Sequence, residues 1–115
     1  MKYLCLVYLE QEKMDALTPS ELAKVQDDSR TYDEDLQRSG HLIAAQALEP
    51  VKTATTVRVR GGKRLVIDGP FAETKEHLGG FILINARSRK DAVAVAAKIP
   101  LAKIGSIEVR PIMEF

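Results

Sequence analysis

Hydrophobic and polar positions along the chain fall into four apolar runs, two helical stripes and one short hairpin. From Lys2 to Leu9 almost every position is apolar, with Tyr3, Cys5, Val7 and Leu9 alternating against Leu4, Leu6 and Tyr8. A strand with that pattern offers apolar side chains to both faces of its sheet. Thr18-Pro19-Ser20-Glu21 marks a helix start. Threonine caps, proline suits the first helical position, and a glutamate three residues after the cap completes a capping box. The helix is predicted to run to about Arg38, with Leu22, Val25, Tyr32 and Leu36 on one stripe and Ser29 interrupting it. The acidic run Asp33-Glu34-Asp35 reads as a solvated face, and Gly40 ends the helix.

His41 to Gln46 is predicted as a second strand, closed by Leu48-Glu49-Pro50. Thr55 to Arg60 and Lys63 to Ile67 flank Gly61-Gly62, a two-residue link whose glycines suit the positive φ of a tight hairpin turn. Leu78 to Ala86 forms a further strand. Ser88 caps a helix of Asp91 to Lys98 that stops before Pro100, and Ile104 to Ile112 is the last strand. Without the hairpin, the order is strand-helix-strand twice. The expected fold is therefore α+β: a ferredoxin-like split βαβ sheet in one domain, with two helices on one face and an inserted β-hairpin. Two helices cover one face only, and the other is also apolar. The expectation is a homodimer through the sheet face.

Composition narrows the partners. The chain has 115 residues, 45% hydrophobic and 29% charged, with 17 basic and 16 acidic side chains. Without a concentrated basic balance, neither nucleic acid nor an anionic membrane is expected as a partner. The single cysteine, Cys5, leaves no internal disulfide and fits a reducing cytoplasm. The opening apolar run is too short for a signal-peptide core and no stretch approaches a bilayer span, so a cytoplasmic protein is expected. Two separated histidines and one cysteine give no metal-ligand spacing, and Gly61-Gly62 lacks the following helix that would cradle a phosphate. No metal or cofactor is expected.

Between the hairpin and the third apolar run lies Asp68-Gly69-Pro70-Phe71-Ala72-Glu73-Thr74-Lys75-Glu76-His77, continuing into Leu78-Gly79-Gly80-Phe81. Together with Met1-Lys2-Tyr3-Leu4, Ala54 to Arg60 and Gly105 to Ile112, this stretch resembles the DGPF-type branch of the YCII-related domain family. The resemblance implies a dimeric α+β barrel of ferredoxin-like subunits. It points toward small cofactor-independent enzymes in the wider superfamily, and the branch is similar to proteins encoded beside extracytoplasmic-function sigma factors. A His and an Asp proposed as a catalytic pair in some YCII-related proteins fall here at Glu21 and near Arg38, so that pair is absent.

Chemistry is read from the signature stretch outward. Asp68-Gly69-Pro70 suits a rigid turn, with Phe71 as a plug at the barrel end. The same stretch suits a cavity rim, with Asp68 or His77 as proton carrier and Glu73, Lys75 and Glu76 around it. Gly79-Gly80 marks a bulge or a pocket wall. In the last strand Ile107 and Val109 oppose Glu108 and Arg110, which directs Arg110, with Tyr8 and Gln46, toward the dimer side. There Arg110 either clamps a small organic acid or pairs with Glu108. Two functions follow: a cofactor-independent enzyme moving a proton on a small acid or lactone, or a non-catalytic ligand-sensing module tied to sigma-factor-dependent transcription.

Overall fold

In the computed structural model, which describes residues 1–115, the first apolar run forms β1 (Lys2–Glu10) and leads directly into a short helix, α1 (Gln11–Asp15). The long helix α2 (Pro19–Arg38) follows, then β2 (Leu42–Ala47), β3 (Thr55–Arg60), β4 (Lys63–Asp68), β5 (Glu76–Asn85), α3 (Arg89–Ala97) and β6 (Ser106–Pro111). Single 3-10 turns at Val51–Thr53 and Pro100–Lys103 complete the chain. The protein is a mixed α+β fold. Four strands form an antiparallel sheet in the order β2-β5-β1-β6, and β3 and β4 pair only with each other. The two strand-helix-strand units are thus interleaved: β5 lies between β1 and β2, and β1 between β5 and β6.

Local chemistry accounts for the element ends. The Thr18 hydroxyl accepts the Glu21 N–H at 3.1 Å, while the Glu21 carboxylate accepts the Thr18 N–H at 2.9 Å. Both orphan donors are therefore satisfied at the start of α2. Gly40, at φ 80°, carries the chain out of the helix, and its N–H donates to Gln37 O. Ser88 accepts the Asp91 N–H at 3.1 Å and caps α3. Gly61 and Gly62, at φ 57° and 75°, make the tight β3–β4 turn.

Strand alternation follows the sequence. Tyr3, Cys5, Val7, Ile82 and Ile84 are buried, while Leu4, Leu6, Tyr8, Phe81 and Leu83 on the opposite face are half-covered. Both long helices pack on the first face, through Leu36 of α2 and Ala92, Val95 and Ala96 of α3. Ile107 and Val109 join that core, so Glu108 and Arg110 stand on the open face. Only twelve residues are buried, which leaves much apolar surface half-exposed in a single copy.

The structure differs from the sequence reading at several element ends and by one added helix. β5 begins two residues early, so Glu76 and His77 belong to the strand, paired with Glu10 and Leu9 of β1. A bulge allows it: Val7 pairs with Gly80 and Tyr8 with Leu78, leaving Gly79 as the extra residue. The last strand begins at Ser106, because Pro100–Lys103 is wound into a 3-10 turn. The five-residue α1 carries no periodic signal and is absent from the sequence reading.

Candidate functional site

The helix α2 is held to the sheet mainly at its C-terminal half. Leu36 is buried there, and the Tyr32 hydroxyl donates to Val95 O at 2.7 Å, tying α2 to α3. Burial pushes the Tyr32 phenol up to about 12, with Cys5 and Asp35 adding, so it stays protonated and donating. Toward its N-terminus α2 stands away from the sheet, and Leu22 is 36% exposed. The gap is a cleft of about 490 Å³ with an apolar lining that includes Val7, Leu9, Val25, Ile82, Ile99 and Leu101. Its helix side carries Gln26, Ser29, Arg30 and Asp33. The Gln26 amide, Ser29 hydroxyl and Asp33 carboxylate make no hydrogen bond within the chain, whereas Arg30 is paired with Asp27 at 3.0 Å. Burial alone raises the Asp33 carboxyl above its ordinary range. An apolar cleft with a few unused polar groups and one perturbed acid has the makings of a small-molecule site.

Gly79, Gly80 and Gln46 border this cleft. A β-carbon on Gly80 would stand 2.8 Å from Gln46 O, so only glycine lets β2 and β5 close there. The Gln46 side chain lies opposite Phe81 in the register, on the open face.

A second concavity, broad and shallow, lies at the end of the open sheet face and is lined by Tyr8, Glu10, Lys75, Glu76, Ser106 and Glu108 among others. Most of its charges are already paired, Glu76 excepted. Glu10 binds Lys75 at 3.1 Å and Lys13 at 3.2 Å, and these hydrogen bonds hold its carboxyl below the usual range. The same contact raises the Lys75 ammonium. Ser106 donates to Glu76 at 3.3 Å. Lys75 therefore fastens the signature stretch to the end of β1.

The remaining predicted residues lie apart from both concavities. Asp68 is exposed at the end of β4 and makes no side-chain hydrogen bond. The turn beyond it is closed by the backbone: Gly69 N–H donates to Ala54 O at 2.7 Å, and Thr56 donates to Gly69 O at 2.8 Å. Gly69 itself sits at φ 103°. Phe71 is 76% exposed and plugs nothing within one chain, and Glu73 is solvated. His77 is half-buried beside Thr74 at 3.4 Å. Arg110 faces Glu108 at 4.0 Å.

The sequence reading assigned Asp33 to water. Its signal was Ser29, which breaks the apolar stripe: Ser29 and Asp33, four apart, share the face of α2 that borders the cleft.

A Ser-His-Asp chain also occurs, at the corner joining α2 to α3. Ser39 Oγ is 2.7 Å from His41 Nδ1, and His41 Nε2 is 3.1 Å from Asp91. Asp91 is drawn down to about 2, first by the Arg87 backbone N–H and then by His41 and the Arg87 side chain. The Ser39 hydroxyl donates to Leu36 O at the negative end of α2. The N–H groups of Ser39, Gly40 and His41 are all spent on helix carbonyls, leaving none to stabilise an oxyanion. This chain is a staple between elements. Cys5 is equally inert, fully buried with its thiol pushed up to about 11.

The chain belongs to the YCII-related domain family, which it matches over residues 1–115. It is 36% identical over 114 residues to an uncharacterised protein of Rhizobium meliloti (strain 1021), spanning 97% of this chain and 92% of that one. No helix is long and apolar enough to cross a membrane.

Proposed function

We propose that this YCII-related protein binds a small organic acid or lactone in the cleft beneath α2, with Asp33 as its proton carrier. The observation that carries this reading is Asp33 itself: a carboxyl raised by burial, unpaired, on the wall of an apolar cleft. A carboxyl poised above its ordinary range exchanges protons with a bound carbonyl or enol more readily than an ordinary aspartate. Asp68 and His77, the sequence candidates, stand outside that cleft. The Asp68-Gly69-Pro70-Phe71 stretch supports membership of the DGPF-type branch, and the interleaved strand order supports a ferredoxin-like subunit. The half-covered open face supports pairing of two copies through their sheets in a dimeric α+β barrel.

A thermal-shift screen of small carboxylates and lactones tests the site. Ligand stabilisation is expected in the wild type and in Asp68→Asn, and is expected to vanish in Asp33→Asn. Because burial raises the Asp33 pKa, its charged form opposes folding at neutral pH. The ligand-free Asp33→Asn chain is therefore expected to melt higher than wild type at pH 7. Stabilisation kept in Asp33→Asn but lost in Asp68→Asn moves the site to the signature loop.

A further inference from the structure

The β3–β4 hairpin stands off the body of the protein. None of its strand residues is buried, and only Thr56 is half-covered. Val57, Val59, Leu65, Val66 and Ile67 are between 47% and 62% exposed. The register sets Val57 beside Val66 on one face, and Leu65 and Ile67 on the other. An isolated two-stranded ribbon is marginal in water, and one with aliphatic side chains on both faces calls for cover on both. At six residues a strand it reaches about 20 Å.

Charge identifies the cover. The hairpin carries Arg58, Arg60, Lys63 and Arg64 toward its tip against one carboxylate, Asp68, at its base. None of the four cations forms an ion pair within the chain. The helix α2 is the reverse, with six carboxylates against Lys24, Arg30 and Arg38, and Glu34 is unpaired and exposed. The hairpin makes no extended contact with α2 of its own chain. A two-fold pairing of copies forms such a contact twice, once for each arm.

We propose that the β3–β4 hairpin is a dimerisation arm: it lays its aliphatic side chains on a second copy of this chain and sets its cationic tip against that copy's acidic α2. The arm rests on the dimer proposed above and is independent of the ligand cleft. Exposed charge pairs are screened by salt, with a Debye length of ~10 Å at 0.1 M. The dimer is therefore expected to weaken as salt rises.

Sedimentation equilibrium of the full chain, with circular dichroism to confirm folding, tests this. The wild type is expected to dimerise. Arg58→Glu/Arg60→Glu is expected to weaken the dimer at least ~10-fold, within the range of measured coupling between interface charges. Asp27→Arg/Glu34→Arg on α2 is expected to do the same, and combining all four substitutions to restore affinity to within ~3-fold of wild type. A folded, monomeric wild type at ~100 µM, far above the dissociation constant of a stable dimer, removes the pairing reading and the arm with it. A dimer indifferent to both charge reversals leaves the pairing intact and overturns the arm alone. Weakening without rescue overturns α2 as the docking site. A monomer that retains heparin through the tip turns the arm into a polyanion-binding element and overturns the proposal.

Discussion

The adjacent glycines of β5 should answer very differently to the same substitution. Neither has a positive φ, so alanine is compatible with the backbone at both positions. At Gly80 the new methyl would stand 2.8 Å from Gln46 O and 3.3 Å from Ala47 Cα, both backbone atoms of the paired strand β2. Relief requires β2 and β5 to separate, an overpacking cost of roughly 2 kcal/mol. The reduced freedom of the unfolded chain offsets about 0.7 kcal/mol of it. A net loss of roughly 1.3 kcal/mol lowers Tm by about 5 °C in a domain of this size. At Gly79 the methyl would meet Leu9 Cδ1 at 2.6 Å, the far end of a flexible side chain that can rotate away. Gly79→Ala is expected to stay within about 0.5 kcal/mol of wild type. Differential scanning calorimetry of the three proteins decides it. Equal damage at both positions, or greater damage at Gly79, would refute the claim that the β2–β5 approach is what requires glycine.

Two further outcomes follow from the element ends. Thr18→Ala removes the hydroxyl half of the capping box on α2 and is expected to cost about 1 kcal/mol, read from urea denaturation, with Thr18→Ser restoring most of it. Asp91 is depressed from its unfolded value of 3.8 to about 2. Its contribution is therefore complete above pH 4 and lost as the pH falls through 2. Asp91→Asn is expected to be less stable than wild type at neutral pH, with the two acid-unfolding curves converging between pH 4 and 2; a constant gap across that range would remove the assigned role.

What could be read from the sequence was local. The capping box at Thr18, the glycine turn at 61 and 62 and the alternation of β1 each depend on neighbours within a few residues, and each is found where the pattern placed it. The chemistry depended on distance in space. Lys75 meets Glu10 across the chain, and on α2 the break in the apolar stripe at Ser29 was the one local sign of the cleft that Asp33 borders. Phe71 is the converse, an aromatic in a polar loop that finds no cover within one chain. The five-residue α1 is too short for any period to show.

The bulge at Gly79 has one more consequence. C-terminal to it, odd-numbered Phe81 and Leu83 face the same side as Tyr8; N-terminal to it, even-numbered Leu78 and Glu76 do. One unpaired residue therefore inverts the parity of the strand where it joins the signature stretch. Deleting Gly79 would exchange the surfaces of everything N-terminal to it, turning Glu76 toward the helices and His77 toward the open face. Which side of the molecule displays the chemistry of that end is decided by counting, by a residue that contributes no side chain.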